Sequence, residues 1–309
     1  MKINNKNPVK KNKNFIKIIH NASGTFIVTK WSFKHRIFYR TMIPILKNIV
    51  PTLFNLEIFG RENLLQFPPE QPLILVSNHR SHLDSLVGFA TIFPPKGNKL
   101  YVTTITNSDA LKENFIFKMM RFLGSYPLEK HKSDQSLEYL YQTLQAGLSV
   151  AIFPQGGRIV RTPVEDYQNL PKEGRTGVGR IVLRTHGHIP VIPAYMHGTA
   201  EALPRGSIKP KFTSYISLRI GKPLYFNQYA NKTFDQTDKE FFIQSRIITN
   251  QIMIKIQELC NETEKDLFTF LEQKFSKKIE DIILTDPQRK KLSEWLQKYS
   301  YYAPYKMSD

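Results

Sequence analysis

Short apolar runs alternate with amphipathic stretches between about residues 56 and 225. The runs are four to six residues long, the length of a buried strand, and the stretches between them repeat apolar residues at helical spacing. This alternation predicts an α/β fold with a mostly parallel central sheet flanked by helices. The predicted strands are Leu56–Phe59, Leu73–Ser77, Leu100–Thr104, Ser125–Leu128, Ser149–Phe153, Val191–Tyr195 and Tyr215–Ile220. The predicted helices are Leu83–Phe93, Asn114–Leu123, Gln135–Ala146 and Thr176–Thr185.

Residues 227–309 differ from this pattern and predict a helical C-terminal extension. Apolar residues recur there at helical spacing, with Asp286-Pro287 as punctuation. The single cysteine, Cys260, lies within this pattern and is expected to pack. One cysteine cannot form an intramolecular disulfide, which favours a reducing compartment. The predicted helices are Asp235–Cys260, Glu264–Phe275 and Pro287–Tyr301.

The N-terminal region combines positive charge with aromatic and aliphatic residues. Residues 1–14 are rich in Asn and Lys and are expected to form a basic, disordered tail. Within residues 15–55, large apolar side chains from Trp31 onward are interleaved with cations, and Pro44 is expected to divide the stretch into two short helices. This composition is typical of amphipathic helices at a membrane surface. A pair of ordinary packing helices is the alternative.

Charge is unevenly distributed along the chain. The net charge is +18, and eleven Lys and Arg residues but no Asp or Glu precede Glu57. Such a block indicates an anionic partner, either nucleic acid or an anionic membrane surface, and the charge alone does not choose between them. The N-terminus lacks the features of a secretory signal, and no uninterrupted apolar stretch reaches the ~18 residues of a membrane span. We therefore expect a peripheral, monotopic membrane protein on the cytoplasmic face.

The segment Asn78–Asp84 (NHRSHLD) carries the clearest chemical signal. It lies between a predicted strand and a predicted helix, where α/β sheets hold their functional side chains. Asp84, in the first helical turn, can accept a hydrogen bond from one ring nitrogen of His79 and leave the other nitrogen free as a base. Ser81 is available as the helix cap. The segment has no obvious nucleophile, so the base would act on a substrate hydroxyl.

Three further segments are weak signals individually. Phe153–Arg158 (FPQGGR) follows a strand, and its glycines let backbone amides face a ligand beside the Arg158 fork. Gly124–Lys132 is a short strand ending in a basic cluster. His188–Gly198, which includes Ile189–Pro193, is interpreted as a core strand.

A metal site is the alternative use of the chain's histidines. We expect no metal, because their spacing matches no zinc template. The histidines and carboxylate considered were His79, His82, Asp84, His186, His188 and His197.

Taken together and in order, the four segments resemble the glycerophospholipid acyltransferase family, which includes the 1-acylglycerol-3-phosphate acyltransferases. The resemblance covers about residues 56–226 and implies an acyltransferase α/β domain there. It implies that His79 is the general base and that Asp84 orients it. The implied donor is acyl-CoA or acyl-carrier protein as co-substrate, without a further cofactor, and the implied acceptor is a phosphate-bearing lysolipid or glycerol phosphate. The implied acceptor-binding residues are Lys130, Gln155, Gly156, Gly157 and Arg158.

Two departures from the family pattern concern the acceptor. The third segment usually reads Phe-Pro-Glu-Gly-Thr/Ser-Arg, but here Gln155 replaces the glutamate and Gly157 the hydroxyl residue. The second usually ends in Asp-Arg, where this chain has Glu129-Lys130, so a positive charge remains without the guanidinium fork. Both departures are compatible with acyl transfer, but they leave the identity of the acceptor's polar group undetermined.

Two other functions remain alternatives. A nucleic-acid-binding protein would use the basic N-terminus, but no recognised binding motif accompanies the charge, so no nucleic-acid partner is expected. A thioester or lipid hydrolase would use the same His79–Asp84 pair to activate water.

Overall fold

A central β-sheet forms the core of the fold and holds the residues of the candidate site in position. In the computed structural model of the chain, the described residues are 16–20, 26–31, 33–68, 70–92, 102–107, 125–128, 133–157, 174–204, 206–207, 209–212 and 214–275. The strands in these ranges are β1 (Ile16–His20), β2 (Phe26–Trp31), β3 (Asn55–Phe59), β4 (Ile74–Ser77), β5 (Val102–Asn107), β6 (Ser125–Leu128), β7 (Ser149–Ile152), β8 (Val191–His197) and β9 (Tyr215–Ile220). The helices are α1 (Phe33–Leu53), α2 (Glu62–Leu65), α3 (Leu83–Ile92), α4 (Ser133–Gln145), α5 (Gly177–Arg184), α6 (Thr199–Ala202) and α7 (Lys239–Phe275), with a 3₁₀ turn at Asn227–Tyr229.

Seven of the described strands form one sheet in the order β3-β9-β8-β4-β7-β5-β6. Every neighbouring pair is parallel except β8 and β9. The predicted α/β fold with a mostly parallel sheet is therefore confirmed. β4 lies near the middle and is buried along its whole length, which explains its run of apolar residues.

Helices cover both faces of the sheet. α1 and α3 pack together on one face, while α4, α5 and α7 pack on the other. The hydrogen bond between Thr103 Oγ1 and Tyr139 Oη, 3.2 Å long, marks the α4 side. Gly179 of α5 lies so close to α7 that a β-carbon there would collide with the carbonyl oxygen of Ser245.

The N-terminal prediction of two short helices is wrong. Residues 16–31 contain the antiparallel hairpin β1–β2, and a single helix, α1, follows it. Pro44 and Pro51 lie inside α1 on its exposed side, where water can bond the carbonyls that lose their helical partners. The other side of α1 buries Ile43, Leu46 and Val50 in the core.

Residues 239–275 of the C-terminal extension are helical as predicted, but they form one helix rather than two. α7 buries apolar residues against the domain, among them Phe241, Ile248 and Ile256, and the expected packing of Cys260 is confirmed because its side chain is fully buried. Among the described residues, no helix is both long enough and apolar enough to cross a bilayer. The predicted tail 1–14 and the predicted helices 114–123 and 287–301 lie outside the described residues.

Candidate active site

The site lies where two parallel strands end side by side. β4 and β7 are hydrogen-bonded neighbours, and Val76 pairs with Ile152 just before both strands end. The turn after β4 carries His79, and the turn after β7 carries Gln155. Because the carboxyl ends of parallel strands share one edge of the sheet, the first and third sequence segments meet there.

His79 and Asp84 form a hydrogen-bonded pair. The distance from His79 Nδ1 to Asp84 Oδ2 is 2.7 Å. The His79 side chain is 17% exposed and that of Asp84 1%. A neutral imidazole that donates its Nδ1 hydrogen carries its lone pair on Nε2, so Nε2 can accept a proton at the open end of the pair.

The Asp84 carboxylate is held in place by backbone amides. Oδ2 also accepts hydrogen bonds from the amides of Arg80 (2.7 Å) and Ser81 (2.9 Å). The Ser81 hydroxyl accepts from the amide of Leu83 at 3.3 Å, in line with its predicted capping role. Three donors on one oxygen keep the carboxylate, and through it the imidazole, in a fixed orientation.

The imidazole is also constrained by the turn after β7. Its ring stacks on Phe153, with centroids 4.2 Å apart and planes 13° from parallel. Gln155 Oε1 accepts a hydrogen bond of 2.8 Å from the backbone amide of His79. Gln155 Nε2 is buried and has no hydrogen-bond partner among the described residues.

The turn that carries His79 is fastened to the β8–α6 region at three points. The Asn78 side chain exchanges two hydrogen bonds of 2.8 Å with the backbone of Met196. Ser81 Oγ donates to the carbonyl of Leu203 at 2.9 Å. Arg80 pairs with Glu201 at 3.3 Å, and both side chains are only 8% exposed.

The ionisable groups behind this turn are strongly affected by burial. Burial raises the pKa of Glu201 above its ordinary value, and Arg80 opposes the rise. Burial, with the Arg80 charge as a smaller cause, lowers the pKa of His197 to about 3. His197 is therefore neutral at physiological pH, which agrees with its predicted place in a core strand.

An apolar cavity begins beside the pair and extends under α3. It lies on the face of the sheet that α3 covers. Asp84, Ser77 and Phe153 line its catalytic end, and Ala151 and Leu218 are among the residues that line the remainder. Asp84 Oδ1 is buried and has no partner among the described residues.

The turn after β7, residues 153–157, borders the other side of the site and is called the glycine turn here. Gly156 has φ +73°, a conformation that side chains rarely adopt, and its amide donates to the carbonyl of Phe153 at 2.9 Å. The space that a Gly156 β-carbon would need is occupied by the side chain of Arg175. Gly157 has open space around it.

The structure brings together five of the seven predicted site residues: His79, Asp84, Gln155, Gly156 and Gly157. Lys130 and Arg158 lie outside the described residues, so their predicted roles stay predictions. Sequence reasoning missed Glu201 and Arg175. Neither has a local signal, because both reach the site through the fold alone.

A comparison with known proteins gives a family match over the segment that carries this site. Residues 55–197 match the family model described as Acyltransferase. This segment is therefore similar to the acyltransferase family. Its bounds run from the start of β3 to the end of β8. They include both turns that form the site, the one after β4 and the one after β7. The resemblance to glycerophospholipid acyltransferases, based on four short segments, is confirmed.

Two curated relatives carry the name probable 1-acyl-sn-glycerol-3-phosphate acyltransferase. The one from Mycoplasma genitalium is 24% identical over 172 residues, 52% of this chain and 60% of the relative. The one from Mycoplasma pneumoniae is 21% identical over 134 residues, 42% of this chain and 46% of the relative. The chain thus matches about half the length of these relatives. The crystal structure of the 1-acyl-sn-glycerophosphate (LPA) acyltransferase PlsC from Thermotoga maritima aligns over 71% of this chain and 79% of its own, with a TM-score of 0.45 and 18% identity.

Proposed function

We propose that this protein transfers a fatty acyl group from a thioester donor to the hydroxyl of a phosphate-bearing lysolipid or glycerol phosphate. The donor is acyl-CoA or acyl-carrier protein, and no further cofactor takes part. The observation that carries the proposal is the 2.7 Å contact between His79 Nδ1 and Asp84 Oδ2 in an acyltransferase-family domain, beside an apolar cavity. The names of the two curated relatives support the same acceptor class.

The proposed reaction needs one base. His79 Nε2 accepts the proton of the acceptor hydroxyl as the oxygen bonds to the carbonyl carbon of the thioester. The C–S bond then breaks, and the thiolate leaving group takes the proton back from the imidazolium. Asp84 keeps the imidazole in the reactive tautomer and stabilises its charged form. A base placed in this way contributes on the order of 10²–10⁴-fold to the rate.

The apolar cavity is the proposed site for the acyl chain. Its walls are mostly aliphatic along β4, β7 and β8, and Asp84 of the catalytic pair is part of its lining. An acyl chain inserted there leaves its carbonyl carbon near His79, where the acceptor oxygen arrives. Burial of the chain contributes about 0.8 kcal/mol per methylene, so chain length affects donor binding directly.

The glycine turn is the proposed site for the phosphate of the acceptor. Gly156 and Gly157 allow close approach to the backbone, and Lys130 and Arg158 supply positive charge in this proposal. Gln155 has a divided role: Oε1 is engaged by the amide of His79, and Nε2 is an unused donor. The glutamate usual in the family can accept from the same amide but has no donor, so Gln155 favours an acceptor with an additional oxygen at this point.

The exposed side of α1 is the proposed membrane contact. Ile37, Ile45 and Ile49 there are 40–50% exposed, and Arg40 is exposed nearby. Apolar side chains beside cations suit an anionic bilayer surface, from which a lysolipid acceptor can be drawn. The protein in this proposal is peripheral and lies on the cytoplasmic face.

Product analysis tests the proposal. Purified full-length protein in detergent is given radiolabelled acyl-CoA or acyl-carrier protein with a panel of lysolipids and glycerol 3-phosphate. Transfer of the label to a phosphate-bearing acceptor supports the proposal. Release of free fatty acid at the same rate with and without acceptor would instead make the protein a hydrolase.

A further inference from the structure

Arg175 lies on the glycine turn, although many residues separate it from that turn in the chain. Its backbone amide donates to the carbonyl of Pro154 at 2.7 Å. Its side chain covers Gly156 so closely that a β-carbon on Gly156 would collide with it. The Cδ, Nε and Cζ atoms of Arg175 are thus placed against the same turn that contacts His79 through Gln155.

The C-terminal helix holds Arg175 in this position. Arg246 of α7 donates from Nη1 to the carbonyl of Gly174 at 2.6 Å. A β-carbon at Gly174 would lie 3.0 Å from Pro154 and 3.1 Å from Met253, so Gly174 is wedged between the turn and α7. The backbone at Arg175 is therefore fixed by the glycine turn on one side and, through Gly174, by α7 on the other.

The Arg175 side chain is available to an anion. It is exposed, and within the described part of the chain no carboxylate or other hydrogen-bond partner engages it. By contrast, Arg180 and Arg184 are paired with Asp134 and Glu138. The neighbouring Gln155 Nε2 is a second donor without a described partner.

We propose that Arg175 binds the phosphate of the acyl acceptor and that Arg246 is the residue that positions it. This inference rests on the proposed function. A guanidinium fork donates two parallel hydrogen bonds to a phosphate, a geometry that lysine cannot reproduce. Arg175 thereby supplies the fork that Lys130 lacks. It also gives α7, which lies beyond the matched family segment, a role in acceptor binding.

Phosphate groups occur in both the acceptor and coenzyme A, so the experiment separates the two. For the wild type and Arg175→Ala, KM is measured for lysophosphatidate and for acyl-CoA, and kcat/KM for uncharged monoacylglycerol. We expect Arg175→Ala to raise KM for lysophosphatidate about 10–150-fold, equivalent to about 1.5–3 kcal/mol. KM for acyl-CoA and the monoacylglycerol rate should not change. The KM of Arg175→Lys for lysophosphatidate should fall between the values of the wild type and Arg175→Ala.

Two further variants serve as controls. Lys222 is an exposed cation after β9, and that segment pairs with the start of β8, at the edge opposite the site. Lys222→Ala removes the same charge and should leave both KM values unchanged. Arg246→Ala should raise KM for lysophosphatidate alone, and Arg246→Lys should restore part of the affinity. Thermal melting checks that each variant is folded.

The possible failures are distinguishable. Equal rises in both KM values for folded Arg175→Ala, or no rise at all, would overturn the role of Arg175 while leaving acyl transfer in place. If the wild type transfers no acyl group, the proposed function fails, and calorimetry with glycerol 3-phosphate decides the inference about Arg175. Binding by the wild type that Arg175→Ala loses would support it, and equal or absent binding in both proteins would overturn it.

Discussion

Gln155 Oε1 accepts a hydrogen bond of 2.8 Å from the backbone amide of His79. This contact joins the two turns that follow the neighbouring strands β4 and β7 and fixes the backbone from which the imidazole projects. The contact needs only an acceptor, so glutamine and glutamate satisfy it equally. The departure at this position therefore leaves the backbone around His79 supported and changes only the second polar atom of the side chain.

Gln155→Glu and Gln155→Leu should separate these two roles. Gln155→Glu keeps the acceptor for the His79 amide and should melt close to the wild type while changing acceptor preference. Gln155→Leu leaves that amide unsatisfied, which costs about 1–3 kcal/mol. Denaturant unfolding should show this loss for the leucine variant alone, together with a lower kcat. Equal stability of the two variants would contradict the structural role of Gln155.

Ala151→Phe should shorten the preferred acyl chain. Ala151 lines the cavity two residues before Phe153, about 7 Å from the catalytic end at the rise of a strand. A phenyl ring there blocks the cavity beyond the first few methylenes. We expect kcat/KM to fall steeply for long-chain acyl-CoA and to be retained for short-chain acyl-CoA, with Ala151→Val as the smaller control. Equal losses for all chain lengths would place the chain elsewhere.

Changes on the exposed side of α1 should reduce membrane binding. Deleting the helix would expose the core that Ile43, Leu46 and Val50 cover, so substitutions are the cleaner test. Replacing Ile37, Ile45 and Ile49 by Ser should remove the salt-resistant part of sedimentation with anionic vesicles. Replacing the exposed Arg40 and the half-buried Lys47 by Gln should weaken the salt-sensitive part, by about 1 kcal/mol per charge at most.

Neutral vesicles provide the control for both sets of α1 variants. The electrostatic part should be absent on them and the apolar part should remain. If the serine variant sediments as well as the wild type at every salt concentration, the membrane contact lies outside α1.

His197 should make the fold sensitive to acid. The pKa of His197 is about 3 in the folded protein and 6.5 in the unfolded chain, where the side chain is not buried. Between these two pH values the unfolded chain therefore binds a proton that the folded protein does not. The contribution of His197 to the free energy of unfolding is therefore fully present above pH 6.5. It is lost as the pH falls from 6.5 toward 3, by about 1.4 kcal/mol per pH unit. Urea unfolding of His197→Gln between pH 6.5 and 4.5 should show a smaller slope than the wild type. An unchanged slope would contradict this prediction.

The sequence predicted those parts of the site that depend on short spacing. His79 and Asp84 are five positions apart in a strand-to-helix turn, and the local geometry alone brings them within hydrogen-bond distance. The contact between Gln155 and His79 depends on β4 and β7 being neighbours, which spacing does not determine. The contact of Arg175 with the glycine turn, where α7 also bonds Gly174, likewise depends on the fold and not on spacing.

The errors at the N-terminus have a similar origin. The strand Ile16–His20 is a brief apolar run within a basic stretch, and its partner strand ends at Trp31, where the helical pattern begins. Pro44 is a helix breaker by propensity, but its exposed position lets α1 continue through it. The core on the opposite side of α1 outweighs that local preference.

Acyl transfer by the wild type, His79→Ala and Asp84→Asn tests the central claim most directly. Each purified protein is given labelled acyl-CoA and lysophosphatidate, and the diacyl product is measured beside thermal melting. We expect product from the wild type, kcat lower by about 10²–10⁴-fold in His79→Ala, and a severe loss in Asp84→Asn because the imidazole loses its orienting carboxylate. Near-normal turnover by folded His79→Ala would contradict the account.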